Sequence, residues 1–233
     1  MSVIAYFLYT IYFRFIHILD IHRIVVVKNL FFKNVVNIDK TCQLFLIHGR
    51  LSKSKVFVKG KHNKCILKGN IQKTFIKIVG ENNIVKIDKN VVLLGGEIVV
   101  RGNNCIVSIC ESTTIGHSIY IVCMGNHNSI SIGRDCMIAD NVDIWNTDSH
   151  PIFDERKKLI NNSKPIVIGN HVWIGKCCKI LKGSIIGHDT VVGMNSLVTR
   201  ELDCESVYAG NPAVKIKKNV SWERSFISKY ECD

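Results

Sequence analysis

An aliphatic residue returns at every sixth position through much of the second half of the chain. The positions are Ile132, Ile138, Ile144, Ile168, Ile174, Ile180, Ile186, Val192 and Val198. Neither an α-helix nor an ordinary strand has this period. Three such units would close one triangular turn of about 18 residues, in which each side is a short parallel strand and each corner is a tight turn. The spacing therefore predicts a parallel β-helix.

The residues between the aliphatics support this interpretation. A small or β-branched residue stands four places after most of them, at Cys136, Val142, Val172, Cys178, Ser184, Thr190 and Ser196, and glycine often follows the aliphatic directly. We expect the aliphatic to point into the prism and the small residue to fill the space beside a corner. Glycine permits the corner backbone.

A longer unit precedes the six-residue region. Gly60, Gly80, Gly102 and Gly125 lie 20, 22 and 23 residues apart, and each belongs to a polar turn followed by alternating aliphatics. Repetition on this scale indicates stacked units that share one core. These units are predicted to be coils of the same solenoid with larger corners.

The charge favours an anionic partner. The 31 Lys and Arg exceed the 19 Asp and Glu, which gives a formal charge of +12. Such a surface suits nucleic acid, an acidic lipid surface, an acidic glycan or a phosphorylated cofactor. No recognition helix, zinc-finger spacing or RNP-like motif accompanies the charge, so nucleic acid is not the expected partner.

The ten cysteines are expected to be free thiols in a reducing cytosol. The chain is long, shows no cleavable signal and places Cys177 beside Cys178, which does not suit a disulfide framework. It has no C-x-x-C motif and no Cys/His cluster with zinc-like spacing, so no metal is expected.

The opening segment is apolar, but its uncharged run ends at Arg14. That run is shorter than the roughly 20 residues a spanning helix needs. Its aliphatics recur at helical spacing, and a helix that caps the core or packs in an oligomer is favoured over an interfacial membrane anchor. We divide the chain into an N-terminal apolar helix with leading strands (1–50), the β-helix domain (51–217, with an extruded loop at 145–165) and a C-terminal tail (218–233).

Three segments resemble a known family: KPIVIGNHVWIG, GSIIGHDTVVGMNSLVTR and AGNPA. They are similar to the hexapeptide-repeat acyltransferases, in particular to bacterial polysaccharide O-acetyltransferases and to the maltose, galactoside and xenobiotic acetyltransferase branch. The resemblance covers roughly residues 55 to 217. It implies an all-β fold, the left-handed parallel β-helix, use of acetyl-CoA, and a homotrimer with active sites between subunits.

The six-residue rhythm breaks once, between Ile144 and Ile166, where the predicted loop carries His150 and Pro151. The resemblance implies that His150 is the general base, a role that suits an imidazole at neutral pH. Asp148 either orients this imidazole or is an ordinary acidic residue of the loop. The other histidines of the repeats, His117, His127, His171 and His188, are interpreted as turn residues.

Trp173 is the second catalytic candidate. Alone it would be an aromatic residue covering a corner, but the resemblance places it beside the thioester, where its main-chain or ring N–H stabilises an oxyanion. Gly175 would keep the corner flat for the pantetheine arm. We expect His150 of one subunit to face Trp173 of another.

The resemblance also implies a path for acetyl-CoA. By motif position it includes Trp173, Gly175, Lys176, Met194, Thr199, Arg200 and Lys217. Two of these depart from the family pattern, because Met194 replaces a more usual Ala and Lys176 is larger than the residue often found there. Arg156, Lys157 and Lys158 are either a further phosphate or glycan contact or a solvated stretch of loop.

These features predict an O-acetyltransferase that moves acetyl from acetyl-CoA directly to a hydroxyl of a bacterial surface polysaccharide, capsule or lipopolysaccharide, expected to be acidic. It would act in the cytoplasm, at the inner face of the membrane if the N-terminal helix binds there. A small acceptor and a non-enzymatic, polyanion-binding β-helix are the alternatives. A basic run, Lys53, Lys55, Lys59, Lys61, Lys64 and Lys68, lines a path for an acidic polymer or is simply the solvated outside of the solenoid.

Overall fold

The structure is a computed structural model that describes residues 24–27, 34–47 and 49–225. The strands of its first half are β1 (Ile24–Val27), β2 (Val35–Ile38), β3 (Gln43–Ile47), β4 (Arg50–Ser52), β5 (Lys55–Lys61), β6 (Lys64–Leu67), β7 (Asn70–Gln72), β8 (Thr74–Glu81), β9 (Ile84–Ile87), β10 (Val92–Leu93), β11 (Gly96–Asn103), β12 (Ile106–Ile109) and β13 (Thr114–Ile115). Those of its second half are β14 (Ile119–Asn126), β15 (Ser129–Ile132), β16 (Met137–Ile138), β17 (Asp143–Trp145), β18 (Ile166–Ile168), β19 (Trp173–Ile174), β20 (Lys179–Leu181), β21 (Ile185–Ile186), β22 (Val191–Val192), β23 (Leu197–Val198), β24 (Ser206–Ala209) and β25 (Val214–Lys218).

These strands form three sheets, which are the three faces of a prism. Sheet A has the order β1-β3-β6-β9-β12-β15-β18-β21, sheet B β25-β24-β22-β19-β16-β13-β10-β7-β4, and sheet C β2-β5-β8-β11-β14-β17-β20-β23. Neighbouring strands within the coils pair in parallel, and β24 with β25 forms an antiparallel end to sheet B. The predicted parallel β-helix is confirmed.

The inside of the prism is aliphatic, as the repeat predicts. The aliphatic residues of the six-residue series are at most 2% exposed, and the small residues four places later are at most 1% exposed. His127 and His171 lie at corners, each with a φ of 53°. Their interpretation as turn residues is therefore confirmed.

The loop is the one long interruption of stacking in the described coils of sheet C. Inward residues Ile76, Ile98, Ile121 and Ile144 pair in sequence, at separations of 22, 23 and 23 residues. Ile144 then pairs with Ile180, 36 residues later, and Ile180 with Val198, only 18 later. The next coil is thus in register in spite of the long insertion, which leaves the solenoid at the corner between sheets C and A.

The ends of the chain bear on two predictions. The predicted N-terminal helix lies outside the described residues, whereas leading strands β2 and β3 already pair with β5 and β6. Residues 34–47 and 49–52 therefore belong to a coil of the prism. Across the residues that the structure describes, no helix has the length and apolar character needed to span a bilayer.

The four predicted corner glycines stand side by side in adjacent coils of sheet C. Gly102 has a φ of 127°, and a Cβ there would lie 1.7 Å from the carbonyl oxygen of Gly125. The Asn83 side-chain amide donates to the carbonyl oxygen of Gly102 at 2.7 Å. Only glycine satisfies both the dihedral angle and the spacing of the coils.

We predict that Gly102→Ala lowers the free energy of unfolding by about 3–5 kcal/mol, because the methyl group meets backbone at a strained φ. Gly95→Ala is the matched control, since a Cβ there would lie 3.5 Å from the carbonyl oxygen of Lys73, an ordinary contact. That variant should remain within about 1 kcal/mol of wild type in chemical denaturation. Equal stability of the two variants would contradict this account of the corners.

Candidate functional site

The loop that carries His150 is held by one side chain, Asn161. Its Nδ2 donates to the carbonyl oxygen of His150 at 2.8 Å and to Asp148 Oδ2 at 2.9 Å. Its Oδ1 accepts from the main-chain N–H of Ile152 at 2.7 Å. The amide therefore holds the backbone on both sides of His150, and we call this arrangement the Asn161 clasp.

Asp148 belongs to the clasp and is bound by neighbours other than the His150 ring. Its carboxylate accepts hydrogen bonds from Lys182 Nζ, on the following coil, and from Asn161. The Lys182 ammonium holds the pKa of the Asp148 carboxyl below its usual value, and the bond from Asn161 acts in the same direction. The carboxylate therefore stays charged on acidification until the pH falls below that lowered pKa.

His150 is exposed and lies on a cleft above sheet C. The cleft has a volume of about 370 Å³ and is lined by Phe75, Lys77, Glu97, Val99, Arg101, Tyr120, Met124, Trp145, Ser149 and His150. No hydrogen bond joins the His150 ring to another residue in the described part of the chain. The imidazole is thus available to a group in the cleft.

Aromatic rings and cations make up much of this cleft. Tyr120 and Trp145 pack edge to face with ring centroids 5.2 Å apart. Lys77 and Arg101 form no ion pair with any carboxylate among the described residues. Glu97 is the one acidic residue of the lining. A cleft of this kind combines apolar ring faces with unneutralised positive charge.

Trp173 lies on sheet B, beside Met137 and Val191 of the adjoining coils, and is 39% exposed. Its main-chain N–H donates to the carbonyl oxygen of Thr190 at 2.9 Å, within the ladder that joins the coils. Of the two donors expected at this position, only the indole N–H remains open to a ligand.

The C-terminal tail lies against Trp173. Trp222 is buried, its ring centroid is 6.0 Å from that of Trp173, and its Nε1 donates to the carbonyl oxygen of His171 at 2.8 Å. Arg224 fixes the tail farther along the corner between sheets A and B, through Asp135 Oδ1 at 2.9 Å and the carbonyl oxygen of Cys136 at 2.7 Å. The tail is therefore part of the wall at Trp173.

A pair of histidines shares one carboxylate beneath Trp222. The His171 ring stacks on Trp222 at 4.2 Å, and Asp189 contacts Nδ1 of His171 at 2.6 Å and Nδ1 of His188 at 2.7 Å. Partial burial raises the pKa of Asp189, but the hydrogen bonds from the two imidazoles outweigh it and leave that pKa lowered. The cluster is at a corner and anchors the tail.

The predicted cofactor residues fall into three groups. Trp173, Gly175, Lys176, Met194 and Lys217 follow sheet B and its corner with sheet C, where the main-chain N–H of Asn195 donates to the carbonyl oxygen of Lys176. Thr199 and Arg200 follow β23, at the corner between sheets C and A. Arg156, Lys157 and Lys158 form the exposed turn of the loop, around Asp154. A single chain does not bring the groups together.

Glycine at position 175 is explained by the packing of the coils, apart from any contact with a cofactor. A Cβ there would lie 2.7 Å from the main-chain nitrogen of Met194, so the stacking of the coils already requires glycine. It belongs to a row of small residues beside Trp173, namely Gly116, Ala139, Gly175, Gly193 and Ala209. The row follows the edge of sheet B from coil to coil, as a strip of small residues.

His150 and Trp173 lie on different faces of the prism. The loop of His150 leaves the corner between sheets C and A, whereas Trp173 is on sheet B beside the corner between sheets A and B. Among the described residues no group of three or more His, Cys, Asp or Glu side chains is suited to hold a metal ion.

Sequence patterns did not identify Asn161, Lys182, Trp222 or Arg101. Asn161 contacts His150 through the path of the loop, Lys182 contacts Asp148 through the register of the next coil, and Trp222 lies outside the repeat. The sequence does contain one signal for Arg101. In the repeat VRGNNCIVSI it occupies a position whose side chain is expected to point outward from a strand.

Comparisons with known proteins agree with this fold. Residues 165–200 match the family model described as bacterial transferase hexapeptide (six repeats). The chain is 36% identical over 142 residues to the polysialic acid O-acetyltransferase of Escherichia coli O1:K1 / APEC, a match that covers 60% of this chain and 45% of that protein. It is 35% identical over 132 residues to the polysialic acid O-acetyltransferase of Neisseria meningitidis, covering 47% of this chain and 60% of that one.

A crystal structure of the polySia-specific acetyltransferase NeuO matches with a TM-score of 0.75 and 34% identity, over 86% of this chain and 92% of that chain. The chain therefore belongs to the hexapeptide-repeat acyltransferase family, and the predicted left-handed parallel β-helix is confirmed. It spans about half the length of the curated relatives it matches.

We predict that Asn161→Ala loosens the loop around His150, because the amide of Ile152 loses its acceptor. Hydrogen exchange of peptides from residues 146–165 should then accelerate by about tenfold or more. Asn162→Ala is the matched control, since Asn162 is exposed and makes none of these bonds. Identical exchange in both variants would show that the clasp does not hold the loop.

Proposed function

We propose that this chain is an acetyl-CoA-dependent O-acetyltransferase whose acceptor is a hydroxyl of an acidic bacterial surface polysaccharide. The observation that carries the proposal is the cleft in which His150 lies with unpaired Arg101 and Lys77 and with aromatic side chains. An exposed imidazole suits removal of a hydroxyl proton, and the cations suit a carboxylated sugar. The polysialic acid O-acetyltransferases that the chain resembles support the same acceptor class.

His150 would act as the general base. Its imidazole removes the proton of the acceptor hydroxyl as that oxygen bonds to the acetyl carbon, and the carbon–sulfur bond breaks. The proton is then returned to the leaving thiolate. The Asn161 clasp fixes the backbone from which the imidazole projects, so the base is held above the cleft.

Trp173 and its neighbours would bind the donor. When bound, acetyl-CoA supplies the acetyl thioester. The strip of small residues on sheet B would accept the pantetheine arm, and the exposed cations Lys176 and Lys217 would face its phosphates. The indole N–H of Trp173 would donate to the oxyanion, since its main-chain N–H is already bonded. Arg200 and the Arg156–Lys158 turn would contribute positive charge from a neighbouring copy.

We infer that the active site forms between copies of the chain in a homotrimer. The two halves of the site lie on different faces, so one copy would supply His150 and another Trp173. The loop of His150 exposes Ile152, Phe153 and Ile160 by 52%, 55% and 60%. Apolar side chains on an extruded loop are suited to burial against a second copy.

We predict that His150→Asn lowers kcat by about a hundredfold or more, because the general base is lost. The assay measures release of the CoA thiol with a polysaccharide acceptor, together with the gain of acetyl mass on the product. His62→Asn is the control, since it changes another exposed corner histidine, one that does not line the cleft. Equal turnover in both variants, with unchanged folding, would overturn the role of His150, and no thiol release by wild type would favour a non-enzymatic β-helix.

A further inference from the structure

Sheet C carries a row of cations and aromatic rings that continues beyond the cleft towards the N-terminal coils. Register places Lys55 beside Phe75, and Phe57 beside Lys77, on neighbouring strands β5 and β8. Lys59 Nζ lies 5.3 Å from the ring centroid of Phe57. These are outward side chains, since the alternate residues of β5 and β8 are buried. Cations and rings therefore alternate between these two coils, and the next coil adds Arg101 beside Glu97 and Val99 on its outward side.

The cations of sheet C are of two kinds, because Lys61 and Lys179 pair with Glu81 and Asp143 whereas, in the part of the chain that the structure describes, the three that lead to the cleft do not pair. In the described residues Lys55, Lys77 and Arg101 have no carboxylate partner, whereas on sheet A Lys68 and Lys86 both pair with Asp88, at 3.7 Å and 3.0 Å. The predicted basic run is thus divided between faces: Lys55 and Lys59 lie on sheet C, and Lys64 and Lys68 lie along sheet A. The unneutralised charge of sheet C leads to the cleft of His150.

The dimensions of this face suit a polymer. Parallel strands are about 4.8 Å apart, so the five strands from β5 to β17 span roughly 19 Å along the prism axis. That length exceeds one sugar unit. Aromatic rings cover the apolar face of a sugar ring, and ammonium and guanidinium groups bind carboxylates by charge-assisted hydrogen bonds. A face that carries both kinds of group therefore suits a carboxylated sugar chain.

We propose that the outward face of sheet C, from Lys55 through Lys77 to Arg101, binds carboxylated sugar units of the acceptor that lie next to the unit being acetylated. This proposal rests on the proposed function and extends its acceptor site by one coil, from β8 to β5. The polymer lies along the prism axis, Arg101 holds the carboxylate nearest to His150, and the unit presented to the imidazole is an internal one.

The test measures binding in a His150→Asn background, so that turnover does not enter. Polysialic acid is the probe, and neutral dextran and dextran sulfate are the comparison polymers. Arg101→Gln should weaken the Kd for polysialic acid by about tenfold or more, and Lys55→Gln and Lys77→Gln by about threefold or more each. Lys64→Gln, an exposed lysine of the same coils on sheet A, is the matched control and should change the Kd by less than about twofold.

Every outcome of the binding test either supports or overturns the proposal. Selective loss in the sheet C variants, with neutral dextran not bound, supports it. Equal loss in Lys64→Gln, or binding of dextran sulfate that falls equally in all variants, shows general attraction to polyanions and overturns it. Acetyl transfer by the wild-type chain is measured separately: selective binding without transfer would contradict the proposed reaction only, and transfer without selective binding would contradict this proposal only.

Discussion

Backbone contact between successive coils is the constraint on which the rest of the structure depends. Parallel coils pair closely enough that a single methyl group at Gly102 would meet the next carbonyl oxygen at 1.7 Å. Inward positions are then restricted to aliphatic and small residues, and the corners to glycine and to residues that tolerate a positive φ. Functional groups can therefore stand only on outward side chains or on segments that leave the stack of coils.

The candidate functional residues occupy both of these places. His150 stands on the segment that leaves the stack between β17 and β18, and the rigid coils fix its position through Lys182 and the Asn161 clasp. The outward residues of sheet C place Arg101 and Tyr120 beneath it. The three faces of the prism point in different directions, so the wall around Trp173 and Trp222 lies on a different face from His150. The geometry therefore favours a site shared between copies.

The repeat predicted the core because side-chain direction follows directly from a period of six, and the aliphatic residues of that series are buried accordingly. The break in the period located the loop of His150. Sequence did not predict which face carries each cation, since that depends on how many residues each corner takes: Lys59 and Lys64 are five positions apart yet lie on different sheets. It also missed Trp222, because a tail that folds back across a solenoid has no periodic signature. Contacts such as Asn161 with Asp148 join a loop to itself across 13 residues and depend on its three-dimensional path.

The central claim is that one site requires His150 of one copy and Trp173 of another. It is tested most directly by co-expressing His150→Asn with Trp173→Ala and measuring acetyl transfer by the mixed oligomers. Each variant alone should be nearly inactive. Random mixing in a ring should restore about a quarter of the sites, because each site draws the two residues from different copies. Mixed oligomers that form but remain as inactive as the separate variants would contradict the claim.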